Sequence, residues 1–164
     1  MIRNEELNKQ SEKILKLIET AEKSFEEDDE MRSHLAKYIC ILCSGFLENA
    51  INLLYTEYVK SETSSDSVIS FSSGILKKVQ NPNASRFRDI AKSFKPEWEQ
   101  PLIDYMQIDD RASAVNYIIK DRHKIAHGKD SDITLIRIRE HHLKTVEVIK
   151  FIESQCFPLG HKGN

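Results

Sequence analysis

Glycine and proline are scarce in this chain, 5 and 4 among 164 residues. No phosphate-cradling glycine loop, P-loop lysine or serine nucleophile elbow is present, which excludes the nucleotide-hydrolysing and hydrolase classes built on those turns. Cysteine numbers three, Cys40, Cys43 and Cys156. An odd, sparse set does not make a disulfide scaffold, and no charged-then-apolar leader opens the sequence, so a reducing cytoplasm is the expected setting. Net charge is slight as well, −2 at pH 7 with a pI near 6.3, which does not favour tight nonspecific binding to a polyanion.

What the chain does have is helix-forming sequence. With 40% hydrophobic and 30% charged residues it can bury one ordinary core, and a single domain spanning residues 1–164 is expected. Stretches rich in Glu, Lys, Leu, Ile and Ala between the few breakers point to an all-α fold. Charge is unevenly spread. Residues 5–30 carry ten acidic against four basic side chains, and residues 111–150 carry nine basic against five acidic. The basic end suits phosphates, although two solvated helix faces explain the same counts.

Apolar residues at Ile14, Leu17, Ile18, Ala21 and Phe25 predict an amphipathic helix from about Asn4 to Glu27. Asp28 and Asp29 are candidate N-caps for a second, longest helix over about Glu30 to Lys60. Its middle, from Tyr38 to Tyr55, is apolar around most of its girth, as in a helix surrounded by others or shared with a second subunit. Glu48, Asn49 and Asn52 interrupt that run, and no basic loop clearly flanks it, which speaks against a membrane span. Ser61 to Ser70 reads as a loop, followed by short helices near Phe71 to Val79 and Arg86 to Phe94, with a turn at Asn81-Pro82-Asn83 between them. Pro96 suits the start of a helical turn carrying Trp98, and Pro101 either kinks or restarts it. Asp109 or Asp110 is placed to cap a helix ending at His127, with Gly128 closing it, and Thr134 to cap a last helix reaching Cys156. These two form a C-terminal pair.

On the helix ending at His127, about 100° per residue sets Val115, Ile118, Ile119, Arg122 and Ala126 on one stripe. An arginine cannot shed its proton, so burying it calls for an anion. Glu48 on the central helix would make it a paired core or interface arginine; a substrate phosphate would make it functional. His127 follows five residues later, at a terminus that Gly128 lets unwind, and an imidazole is the side-chain type suited to act as general base or acid near neutral pH. An arginine that steadies phosphate and a histidine that moves protons are the minimum equipment for metal-free RNA cleavage. Lys124 and Lys129 are candidate RNA contacts beside them. His123 and His127, four apart with His141 and His142 downstream, also resemble metal ligands in spacing. No catalytic glutamate or third ligand accompanies them, so no metal and no cofactor are expected. Cys40 and Cys43 read as buried core thiols.

The segment Arg122-His123-Lys124-Ile125-Ala126-His127-Gly128 resembles the signature of the HEPN superfamily (higher eukaryotes and prokaryotes nucleotide-binding), an arginine, a polar residue, a few positions and a histidine. Residues 31–38, Ser44-Gly45-Phe46-Leu47-Glu48 and Gln80-Asn81-Pro82-Asn83 resemble its RiboL-PSP type in addition, so that the likeness covers roughly residues 30–155 and leaves residues 1–29 as an additional N-terminal helix. The resemblance implies a helical bundle with a long central helix that dimerises, with two motif helices meeting at a cleft where RNA is cut without metal. It implies Arg122 and His127 as catalytic residues and a role as toxin or antiviral effector. His123 stands where asparagine is frequent, leaving its part open among catalysis, RNA contact and orientation of Arg122.

Two functions follow as expectations. One is a homodimeric, metal-independent endoribonuclease that leaves 2′,3′-cyclic phosphate ends, with Glu48 orienting Arg122 or His127, or else serving as a plain buried partner of a lysine. The other is a non-catalytic dimeric module that binds nucleotide, RNA or a protein such as an antitoxin or larger effector.

Overall fold

The chain begins by tying itself down. Ile2 is buried, and the backbone N–H groups of Arg3 and Asn4 donate to the buried carboxylate of Glu153 at 2.8 and 2.6 Å. Asn4 then caps helix α1 (Glu5–Ser24) by accepting the Leu7 N–H at 3.1 Å. Such a carboxylate is tolerable inside the protein because several donors surround it. The computed structural model describes residues 1–26 and 29–158. Glu27 and Asp28 lie outside the described residues, so of the two expected caps Asp29 is the one seen. Its side chain accepts the Met31 N–H at 2.8 Å and opens helix α2 (Glu30–Glu62).

Helix α2 is the axis of the fold, with α1, α6 and α7 packed around it. Ile39, Cys43, Phe46, Leu47, Ile51, Leu54 and Tyr55 are wholly buried. By length and composition it is apolar enough to cross a membrane, but 56% of its apolar window is buried against the other helices. Residues facing several neighbours at once need no polar side, which is why periodicity fades in this helix.

The serine-rich stretch is where structure and sequence expectation part. Helix α3 (Asp66–Leu76) already spans half of the expected loop, and only residues 63–65 link it to α2. Serine gives up at most about 0.7 kcal/mol per helical position relative to alanine. Asp66 favours the helix dipole in the first turn, and α3 lies against α2 and buries Leu76 at its C-terminal end. Asn81, at φ 47°, then reverses the chain, and Asn83 caps helix α4 (Ala84–Phe94) by accepting the Arg86 N–H at 2.8 Å. A 3-10 turn over Pro96–Trp98 leads into α5 (Glu99–Gln107), with Pro101 in its first turn, where no ladder hydrogen bond is lost. Tyr55, Tyr58, Phe94 and Trp98 form an aromatic cluster that holds this segment on α2.

Helix α6 (Arg111–Ala126) does not start with the side-chain cap expected of Asp109 or Asp110. Both adopt left-handed backbone, φ 52° and 56°, and Asp110 makes no capping hydrogen bond. Two consecutive left-handed residues turn the chain too sharply for the carboxylate to reach back to the first turn. Helix α7 (Leu135–Cys156) starts as expected, with Thr134 accepting the Arg137 N–H at 3.3 Å; Leu135, Ile138, His142, Ile149 and Ile152 face the core, while Val146 and Phe151 are half-buried. Among the described residues there is no strand, and the architecture is an all-α bundle.

Candidate nucleic-acid site

Arg122 and His127 lie on the last turn and a half of α6, and local hydrogen bonds explain how that end is shaped. Gly128 takes φ 64°, its N–H reaches the Ile125 carbonyl at 3.1 Å, and the Lys129 N–H reaches that of Lys124 at 2.9 Å. This is the paired closure of a helix by a left-handed residue, which satisfies carbonyls that otherwise lack donors. His127 sits at the C-cap, its N–H shared between the His123 and Lys124 carbonyls, and its imidazole is exposed. His123 is exposed too, and the two rings pack at 4.4 Å between centroids.

The apolar stripe around Arg122 divides in a way that spacing does not foresee. Val115 and Ile118 are buried, Ile119 and Arg122 are half-buried, and Ala126 is exposed. Among the described residues the guanidinium meets no carboxylate or carbonyl. It is therefore not the paired core arginine that Glu48 would have made. Glu48 instead accepts the Asn81 N–H at 2.7 Å and fastens the turn before α4 to the central helix. It approaches neither Arg122, His127 nor a lysine within hydrogen-bonding distance, and its effect on the site passes through that turn.

The lysines divide as well. Lys124 leans to Asp121, 3.4 Å away, while Lys129 is exposed with no ion pair among the described residues. Motif spacing does not single out Asp121. It is 2% exposed and accepts the Ser131 hydroxyl at 2.9 Å, pinning the loop after Gly128 back onto α6. Its signal in the sequence is faint: an acid on the inner face of a helix, one residue before the arginine of the motif.

The other histidines and the thiols stay apart from this end. His141 lies over Tyr117, 4.3 Å between centroids, and burial lowers its pKa. His142 is fully buried against the Ser11 hydroxyl, 3.0 Å from its Nε2, and burial pulls its pKa down to about 4. Among the described residues no three His, Cys, Asp or Glu side chains come together as metal ligands. Burial pushes the Cys40 and Cys156 thiols up to about 12 and raises that of Cys43 well above the ordinary thiol value. Cys40 spends its weak donor on the Ile118 carbonyl at 3.5 Å, a packing role.

One end of α6 thus presents an arginine without an internal anion and two exposed imidazoles. That arrangement can hold a phosphate and move a proton beside it. In comparison with known proteins, the family model RiboL-PSP-HEPN matches residues 3–157. The match begins ahead of α1, which places that helix inside the matched region rather than before it. Neither a curated protein nor a solved structure gave a significant match.

Proposed function

Because the chain belongs to the RiboL-PSP-HEPN family, we propose that it is a metal-independent endoribonuclease acting as a homodimer in the cytoplasm. HEPN domains commonly act as dimers and bind RNA, and many carry ribonuclease activity. In the reaction, His127 of one chain takes the proton of a ribose 2′-hydroxyl as that oxygen attacks the adjacent phosphorus. Arg122 stabilises the added negative charge on the phosphorane. The bond from phosphorus to the 5′-oxygen breaks, an imidazolium donates its proton to the leaving oxygen, and a 2′,3′-cyclic phosphate remains. In a dimer the base and the acid are His127 from each chain. A toxin or antiviral role belongs to the same proposal, since an unrestrained ribonuclease harms its host.

The observation that carries this reading is Arg122, half-buried and free of any internal carboxylate among the described residues, one and a half turns from an exposed His127. A structural arginine on such a stripe would have an acidic partner. The test is incubation of the purified protein with RNA in EDTA. Cleavage persists under chelation, leaves cyclic phosphate ends, and is lost in Arg122→Ala and in His127→Ala. Tight RNA binding without cleavage would instead identify a non-catalytic HEPN module, and loss of cleavage in EDTA would return the histidines to a metal.

A further inference from the structure

Beside His123 a groove of about 610 Å³ runs between α6 and the turn leading into α4. Lys120, His123, Lys124 and Lys129 line it, and among the described residues no acidic side chain does. Lys124 is partly neutralised by Asp121, so the free charge comes from Lys120 and Lys129, both exposed and without an ion pair among the described residues.

Two asparagines that line this groove, Asn81 and Asn116, are oriented by the fold. Asn116 Oδ1 accepts the Ala84 N–H at 2.9 Å, and Asn81 Oδ1 accepts the Ser44 hydroxyl at 3.4 Å. Their acceptor ends are thus turned into the protein. Neither Nδ2 meets an acceptor among the described residues, which leaves both amides as donors at the groove. Glu48 holds the same wall in place through the Asn81 N–H. Cations and amide donors with no carboxylate between them match a ligand that is anionic and rich in acceptors along its length. A phosphodiester chain has that chemistry, and a groove that tracks a backbone through lysines is how single strands are held.

We propose that this groove binds the RNA strand on one side of the cut, with Lys120 and Lys129 on its phosphates and the Asn81 and Asn116 amides on phosphate or base carbonyl oxygens. The inference rests on the reading of the chain as an RNA-cleaving domain and extends the contact beyond the scissile phosphate. It makes Lys120 and Asn116 determinants of substrate binding, and Glu48 a positioning residue for them.

The test measures binding of an eight-nucleotide, fully 2′-O-methylated RNA, which cannot be cut, by fluorescence anisotropy over a range of salt. The double variant Lys120→Glu, Lys129→Glu weakens binding by about tenfold or more. It also lowers the salt slope by about 1.4, since each phosphate that a lysine neutralises on a single strand adds about 0.7 to that slope. Asn116→Asp, which keeps the acceptor for the Ala84 N–H, weakens binding in the same direction. The charge-matched control Lys13→Glu, Lys16→Glu on exposed positions of α1 binds as wild type. All four lysines are solvent-exposed, so the variants fold, as circular dichroism checks. Unchanged binding in the groove variants, equal weakening in the control, or equally tight groove-dependent binding of an oligoglutamate peptide overturns the proposal. Wild-type cleavage in EDTA is run in parallel. Groove-dependent binding without cleavage removes the nuclease and keeps the groove; cleavage with groove-independent binding does the reverse.

Discussion

His142 shows what a single residue can carry in this fold. It is buried as a neutral base with a pKa near 4, whereas in the unfolded chain it returns to about 6.5. Between those values the unfolded state binds a proton that the folded state refuses. The stability contribution is therefore fully present above about pH 6.5 and is lost as pH falls towards 4, by up to about 3 kcal/mol. Urea titrations at pH 7 and pH 4.5 are expected to show that loss, and His142→Leu is expected to flatten it. Gly128 is the second such residue. Its φ of 64° carries a strain of about 1 kcal/mol for alanine, and a Cβ there meets no atom within 4 Å, so the penalty is purely conformational. Gly128→Ala should lower stability by about that amount in chemical denaturation, with Gly128→Asn closer to wild type.

At the scale of elements, the turn between α3 and α4 is held by a contact no local rule supplies. Glu48 and Asn81 are 33 positions apart, and the hydrogen bond between them decides where the α4 end of the groove wall sits. Glu48→Gln keeps a carbonyl acceptor for the Asn81 N–H, while Glu48→Ala leaves that N–H unsatisfied, at about 1 to 3 kcal/mol. Thermal unfolding is expected to rank wild type and Gln together and Ala well below; Gln falling with Ala would make the charge itself essential. Helix ends are easier to read than such contacts. Asp29, Thr134 and Gly128 act within four or five residues of themselves, so their residue types announce the ends of α2, α7 and α6. Asp110 and the serines of α3 mislead for the opposite reason. A left-handed backbone at Asp109 and Asp110 removes the cap, and in α3 the low cost of serine in a helix lets a first-turn Asp66 and a chain that turns straight back along α2 decide the conformation.

For the whole molecule, the face around Arg122 remains uncovered in one chain. Ile119 and Ile125 are half-buried beside Arg122, and Tyr38 and Ile41 on the adjoining α2 are 53% and 42% exposed. These apolar side chains are the surface that the homodimer proposed above would cover. Sedimentation at micromolar concentration is expected to give a dimer, and a monomer there would remove the two-histidine mechanism while leaving Arg122 and His127 on each chain.

The sequence by itself determined most of the helices, the caps at Asp29 and Thr134 and the closure at Gly128, the burial of Cys40 and Cys43, and the arginine and histidine of the motif, because each depends on spacing along one helix or on hydrogen bonds to near neighbours. Only the tertiary structure decided that Glu48 serves Asn81 rather than Arg122, that Asp121 pins the loop through Ser131, and that Lys120 and Asn116 face the turn before α4. Those pairings depend on the angle and register at which helices cross, and a helical period of 3.6 residues tells which face a side chain occupies without telling what stands opposite it.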